Sequence, residues 1–207
     1  MRGVITSKDI LRHLPLILRD GGKVYATLGT DGSTGPKLFC ISGNVERPGV
    51  YEVEFGERLR DLIELAGGVS GGRRIQAILL GGAAGAFVGP DKLDVPLTFE
   101  GTRAAGATLG SGVILVYDET ADLADALRRI AAFFRDESCG QCVPCRVGTV
   151  RQEEALKRLA AGTPHADERE TLAELAQVMR DASICGLGQT AANAIESAIV
   201  NLGVFAA

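Results

Sequence analysis

The sequence has no basic run and no long apolar run, and each absence excludes a class of function. Its 22 Lys and Arg residues are outnumbered by 26 Asp and Glu residues, which leaves a net charge of −4. Nucleic acid and anionic membrane surfaces are therefore poor candidates for partners. No apolar stretch reaches the ~20 residues of a membrane span, so we expect no direct membrane insertion.

The N-terminal segment also lacks the features of an export signal. The stretch MRGVITSKDI has no apolar core followed by a small-residue cleavage site. We therefore expect a cytoplasmic protein, either free or on the cytoplasmic side of a membrane complex. Disulfides are rare in that compartment, so clustered cysteines there indicate a metal or redox site.

A small α+β domain is predicted over residues 37–118. Residues 57–68 predict a helix that places Leu59, Leu62 and Ile63 on one face and stops at Gly67. Four apolar, β-branched runs bounded by Gly, Pro or Asn predict strands: 37–42, 50–55, 75–80 and 113–118.

The pattern becomes helical over residues 119–207. Two apolar stripes have helical spacing. One helix would carry Leu123, Leu127, Ile130 and Phe134 on a single face, and a later helix would carry Leu172, Leu175, Val178 and Met179. Short loops between such helices imply a four-helix bundle. Four helices are expected there: 119–138, 146–162, 166–182 and 189–203. Residues 1–36 form a third region, an N-terminal helical segment in which Pro15 must start, kink or split a helix.

Three of the five cysteines lie within seven residues. Cys139, Cys142 and Cys145 form a C-x2-C-x2-C run in a predicted loop between two helices. Zinc sites commonly pair two C-x2-C knuckles. Three cysteines spaced evenly at three residues instead suit three corners of a [4Fe–4S] cubane. Zinc, or a set of unrelated cysteines, remains the alternative.

A fourth ligand must come from outside the run. Cys185 lies in the loop between the last two predicted helices, and alternate loops of an antiparallel bundle meet at one end. Cys40 falls in an apolar strand and is expected to be a small core residue. His13 and His165 both lie outside the cluster, so a Cys–His nucleophile has no local support.

Several other residues near the cysteines have simpler interpretations. Ser138 is expected to be a surface residue, and residues 151–158 a solvated helix face. Phe133 and Phe134 are expected in the core. Arg146 follows Cys145 and either stabilises a reduced, more negative cluster or is a solvated helix residue.

Two cysteine segments and the middle of the chain carry a family resemblance. ESCGQCVPCRVGT and SICGLGQTA resemble the iron–sulfur end of the family of NADH-oxidising, FMN-binding subunits of respiratory complex I. The relatives in NAD-linked hydrogenases and soluble formate dehydrogenases are similar too. LFCISGNVERPGVYEVEFGERLRDLIELAGG is similar to the SLBB domain of that family, a ubiquitin-like β-grasp.

The resemblance implies a ligand set, cofactors and partners. It assigns Cys139, Cys142, Cys145 and Cys185 to a [4Fe–4S] cluster that takes electrons from reduced FMN. FMN and NAD are expected only on a partner or on a missing domain, of which residues 1–36 are a remnant or a replacement. The implied partners are a flavin- and NADH-binding domain or subunit, a thioredoxin-like [2Fe–2S] subunit, and further iron–sulfur, hydrogenase or formate dehydrogenase subunits.

The chain also departs from this family. No glycine-rich GRGGAGFP-type segment occurs in it, and Thr6 and Ser7 stand where the family has flavin-adjacent asparagines. Val147 stands where the family often has Glu. The glycine cluster at 81–86 has neither the Lys-Ser/Thr of a P-loop nor G-x-G-x-x-G spacing, so we expect an ordinary loop there.

We therefore expect an iron–sulfur electron-transfer module of an NAD(P)H-linked flavoprotein oxidoreductase, with no catalytic residue of its own. The alternative is a docking or ligand-binding module whose four-cysteine site is structural and holds zinc or iron. A stand-alone NADH dehydrogenase is disfavoured, because no flavin segment is present in the sequence.

Overall fold

The computed structural model describes residues 2–205, and the side chains of residues 11–205. The chain divides into two units. The first unit takes in the chain up to Gly82 and then Val88–Glu119, and the second takes in Ala83–Phe87 and the chain from Thr120 onward. The predicted α+β class is confirmed.

Five strands form one sheet in the order β2-β1-β5-β3-β4. Strand β1 pairs antiparallel with β2 and parallel with β5, and β3 pairs antiparallel with β5. Four of the strands lie where the sequence predicts them, and short β4 was not predicted. Their bounds are β1 Pro36–Gly43, β2 Gly49–Glu54, β3 Ile75–Leu80, β4 Ala86–Val88 and β5 Val113–Asp118.

The helices of the first unit are α1 Arg2–Asp20, α2 Gly22–Tyr25, α3 Leu59–Leu65 and α4 Phe99–Ala104. Leu59, Leu62 and Ile63 of α3 are buried as predicted, because they share the apolar face that packs on the sheet. Pro15 lies inside α1 and neither starts nor splits it. Short 3₁₀ turns lie at Ser70–Gly72, Gly82–Ala84 and Pro90–Lys92.

The second unit contains the remaining helices, and α6 packs against both α5 and α7. The predicted stripe of α5 is buried, and Asp122 caps the helix by accepting a hydrogen bond from the N–H of Asp125 at 3.0 Å. The helices are α5 Leu123–Asp136, α6 Val143–Ala160, α7 Glu168–Ala182, α8 Gly186–Thr190 and α9 Asn193–Leu202. The last helix predicted at 189–203 is present as α9, but it begins later than predicted, because the separate short helix α8 takes in the first two residues of that range.

Polar side chains of α9 bind the backbone of the segment Ala83–Phe87. Asn193 Nδ2 donates to the carbonyl of Ala84 at 3.2 Å, and Asn201 Nδ2 donates to the carbonyl of Phe87 at 2.9 Å. Ser197 Oγ accepts from the N–H of Phe87 at 2.8 Å. The glycine cluster at 81–86 is therefore a structural connection between β3 and β4, in agreement with the predicted loop.

Several expectations about burial in the strands and helices are wrong, because a pattern of apolar or charged residues does not say which side of an element faces the core. Cys40 is exposed on β1, since its neighbours Phe39 and Ile41 take the core face. Phe133 and Val178 are exposed as well. In the charged run at 151–158, Gln152 and Glu153 are buried.

Candidate metal centre

The cysteines of the two motifs lie on three local structures. Cys139 and Cys142 belong to the segment that joins α5 to α6, where Gly140 has φ +74° and allows the chain to reverse. Cys145 lies in the first turn of α6 rather than in the predicted loop, because the helix already begins at Val143. Cys185 is the residue that precedes the first turn of α8.

The electrostatics of Cys145 indicate that the four sulfurs share one neighbourhood. Burial raises the pKa of the Cys145 thiol, a hydrogen bond with Ser138 opposes that shift, and the charges of Cys142, Cys185 and Cys139 raise it further. Each of those three thiolates disfavours a fourth negative charge at short range. The sequence-predicted ligands are therefore brought together, while Cys40 lies in the first unit.

Backbone donors from both segments are directed at the Cys142 sulfur. The N–H of Ile184 and then that of Cys145 lower the pKa of the Cys142 thiol, because both favour its thiolate form. Ile184 precedes Cys185, so the Cys185 segment supplies a donor to a cysteine of the C-x2-C-x2-C run. The two segments meet at this point, as expected for alternate loops of an antiparallel bundle.

A glycine allows the close approach of α8 to α6. A Cβ atom added to Gly188 would lie 2.4 Å from Ser183 Oγ and 2.8 Å from the Cβ of Cys145. No real side chain tolerates such distances, so Gly188 is required for the observed packing. The ligand prediction came from the spacing of the cysteines and from the family resemblance, and this contact explains how the two separate segments fit together.

The four thiols differ in their access to solvent. Cys139 and Cys185 are exposed, Cys142 is half-buried and Cys145 is buried. Among the side chains of residues 11–205, no three or more of His, Cys, Asp and Glu surround a position suited to a single metal ion. The common neighbourhood of the four thiols, together with the donors around them, suits a shared cofactor rather than a single ion.

The chemistry of this neighbourhood fits an iron–sulfur cluster. Thiolates are the protein ligands of [4Fe–4S] clusters, and hydrogen bonds to their sulfurs are a regular part of such sites. Ser183 Oγ is buried and has no hydrogen-bond partner of ordinary geometry in the described part of the chain. A buried hydroxyl without an acceptor costs free energy, which a negatively charged sulfur nearby would recover.

Two serines in this site were not predicted to belong to it. Ser138 was expected at the surface, but it is half-buried and its Oγ lies 3.2 Å from Cys145 Sγ. Ser183 had no assigned role. The available signal was their position, since Ser138 directly precedes Cys139 and Ser183 lies two residues before Cys185. A serine beside a cysteine is too common to be assigned a contact without the fold.

Arg146 is an exposed residue of α6 whose Nη1 donates to the carbonyl of Gly140 at 3.2 Å. This bond joins the helix to the turn that carries Cys139 and Cys142. The side chains of Thr6 and Ser7, which stand at the flavin-adjacent positions of the resemblance, lie outside the described residues. In the described part of the chain, no helix combines the length and the apolar character needed to cross a bilayer.

Each of the two units contains a segment that matches a known protein family. Residues 125–202 match the model of the NADH-ubiquinone oxidoreductase-F iron-sulfur binding region, and residues 38–83 match that of the SLBB domain. The F subunit of the NADH-quinone oxidoreductase of Mycobacterium bovis is 36% identical over 196 residues, or 95% of this chain and 44% of the relative. Its counterpart in Rickettsia typhi is 38% identical over 197 residues, or 94% of this chain and 47% of the relative.

A solved structure gives the same result. The crystal structure of an NAD+-reducing [NiFe]-hydrogenase in the H2-reduced state matches with a TM-score of 0.82 and 36% identity, over 92% of this chain and 32% of that one. The chain thus spans less than half the length of these relatives. Residues 38–83 are therefore an SLBB domain, and residues 125–202 are the iron–sulfur binding region of the NADH-ubiquinone oxidoreductase F family, an electron-transfer module of NADH-linked oxidoreductases that takes a [4Fe–4S] cluster.

Proposed function

We propose that Cys139, Cys142, Cys145 and Cys185 hold the [4Fe–4S] cluster, and that the chain relays electrons between a reduced flavin and further iron–sulfur centres. The observation that carries this proposal is the meeting of the two cysteine segments, where the Ile184 N–H is directed at the Cys142 sulfur and Gly188 lies against Cys145. When bound, the cluster supplies one-electron transfer.

The chain's own residues have a structural and electrostatic task in this function. Cys145 anchors the site from inside the helical unit, and the exposed Cys139 and Cys185 place the opposite side near solvent. An exposed edge favours exchange of electrons with a docked partner, because the distance between redox centres stays short. The N–H groups around Cys142 favour thiolates, which are the form that binds iron.

The remaining assignments follow from the family and are proposals for this chain. We divide it into residues 1–36, an N-terminal helical segment, residues 37–118, the SLBB β-grasp domain, and residues 119–207, the cluster-binding helical domain. The hydride chemistry belongs to FMN and NADH on a partner subunit or on a further domain. A thioredoxin-like [2Fe–2S] subunit and hydrogenase, formate dehydrogenase or other iron–sulfur subunits are the proposed further partners.

Metal analysis of anaerobically prepared protein tests this function. The chain should hold about four irons and four sulfides. Cys185→Ser should lose most of them, while Cys40→Ser, a matched change on the exposed face of β1, should not. Equal loss from both changes would overturn the ligand assignment. Bound zinc without sulfide, or a cluster that never changes redox state, would favour a structural metal site.

A further inference from the structure

Two serine hydroxyls lie in the candidate centre, and one of them is beside a cysteine sulfur. Ser138 Oγ is 3.2 Å from Cys145 Sγ, a distance at which either atom can be the donor. The N–H of Gly140 approaches the same oxygen at 3.4 Å. Because that N–H uses a lone pair of the oxygen, the hydroxyl proton of Ser138 is available for the sulfur. A cysteine bound to iron has lost its own proton, so in the loaded site Ser138 must be the donor.

Ser183 lies on the other segment, two residues before Cys185. Its Oγ is buried without a partner of ordinary geometry and is directed into the space that Gly188 leaves free. Ser183 is buried, and the same added atom on Gly188 would also touch the Cβ of Cys145. A buried hydroxyl without an acceptor is therefore held inside the candidate centre, where its proton is available to a sulfur of the loaded site.

The Ser138 hydroxyl is placed at the sulfur that solvent reaches least. Water can donate hydrogen bonds to the exposed Cys139 and Cys185, but it has less access to the buried Cys145 and the half-buried Cys142. A hydrogen bond also counts for more where the surroundings are less polar than water. Donors supplied by the protein therefore have their greatest effect at these two positions.

We propose that Ser138 and Ser183 are positioning residues that raise the reduction potential of the cluster, Ser138 by donating to the Cys145 thiolate and Ser183 by donating its unpaired hydroxyl proton to a sulfur of the loaded site. This inference depends on the proposed [4Fe–4S] site. Reduction adds one electron, and part of its charge spreads onto the ligand sulfurs. A donor at those sulfurs stabilises the reduced form more than the oxidised form, so its removal disfavours reduction.

A redox titration of the reconstituted chain, followed by the EPR signal of the reduced cluster, tests this proposal. Ser138→Ala and Ser183→Ala should each lower the one-electron reduction equilibrium constant about threefold to tenfold. A tenfold change equals a potential shift of about 59 mV. Ser138→Thr keeps a hydroxyl and should restore most of the loss.

A matched control comes from the first turns of α6. The hydroxyl of Thr149 is fully buried and donates to the carbonyl oxygen of Cys145 at 2.8 Å rather than to its sulfur. Thr149→Val removes that hydroxyl at nearly constant volume and should leave the potential close to that of the unchanged protein. A shift as large as that of Ser138→Ala would mean that general disturbance of Cys145, and not a bond to its sulfur, sets the potential.

A second measurement detects the hydrogen bonds themselves. In D2O, ENDOR spectra of the reduced cluster should show hyperfine coupling to exchangeable deuterons. The Ser138→Ala variant should lose the coupling that the Ser138→Thr variant retains. Alanine variants with full iron and sulfide but an unshifted potential overturn this inference alone. If the protein without substitutions holds no iron and sulfide, the proposed function and this inference are both wrong. If Ser183→Ala does not bind the cluster, the reduction potentials of Ser138→Ala and Ser138→Thr decide whether the inference holds.

Discussion

Gly188 in α8 and Cys145 in α6 approach so closely that a Cβ atom on Gly188 would lie 2.8 Å from the Cβ of Cys145. The contact joins the two cysteine segments, and Ser183 Oγ lies on the same side, 2.4 Å from the added atom. The Cβ of Cys145 is held by its helix and cannot swing aside as the end of a long side chain would. The shape of the site is therefore set by the absence of a side chain as much as by the cysteines.

Gly188→Ala should separate the two segments. We expect a loss of about 1–3 kcal/mol in the free energy of unfolding, because a methyl group is forced into a packed space. Iron and sulfide content should fall with it. Gly22→Ala is the control, since Gly22 lies in α2 with no atom within 4 Å of the added Cβ. Normal cluster content in Gly188→Ala would show that α8 can move away without cost to the site.

Removal of iron should loosen the helical region before the β-sheet. Without metal no bond joins the four cysteines, and the raised pKa of Cys145, caused mainly by burial, shows that this position disfavours a free negative charge. Hydrogen exchange measured before and after anaerobic chelation should accelerate within residues 119–203, most of all around the cysteine segments. Unchanged protection throughout that range in the apo protein would contradict the coupling of metal to folding.

The ion pair between Arg158 and Glu168 should make the helical unit sensitive to acid. Arg158 Nε and Nη2 donate to the carboxylate of Glu168 at 2.7 and 2.6 Å. These bonds lower the pKa of Glu168 from 4.5 to about 2, with help from the N–H of His165. The depressed pKa means that the stabilisation is complete above pH 4.5 and is lost as the pH falls toward 2.

Glu168→Gln measures that contribution. At neutral pH it should reduce the free energy of unfolding by about 2 kcal/mol, as expected for a lost hydrogen bond to a charged group. Below pH 4.5 the difference from the unchanged protein should shrink, which denaturant titrations across this range can follow. Glu174→Gln changes an exposed carboxylate on the same helix and should have little effect at any pH. A constant difference down to pH 2 would be inconsistent with the assigned pKa.

The isolated chain should not be reduced by NADH. No dinucleotide fingerprint occurs in its 207 residues, and hydride transfer in this family belongs to FMN. Anaerobic addition of NADH and FMN to cluster-loaded protein should leave its visible absorbance unchanged, whereas dithionite should bleach it. Prompt bleaching by NADH alone would reveal a nucleotide and flavin site in this chain.

The sequence predicted much of the architecture because its signals are local. Spacing alone gave four of the strands, the apolar face of α3 at Leu59, Leu62 and Ile63, and the buried stripe of α5. The even spacing of Cys139, Cys142 and Cys145 pointed to a cubane rather than to zinc. Residues that must lie on one face of one element repeat with its period, so a single sequence carries that information.

The tertiary structure decided which of those faces are inside and which segments meet. Cys40 has the same apolar neighbours as a core residue, but strand alternation and the position of β1 in the sheet turn it outward. Glu153 is buried within a charged run because Arg135 and Lys157 pair with it there. The approach of Ser183 and Gly188 to Cys145 depends on how α6 and α8 pack, and the missing side chain of Gly188 allows that packing. Such contacts join residues far apart in the chain, and their energies depend on distances that no local pattern specifies.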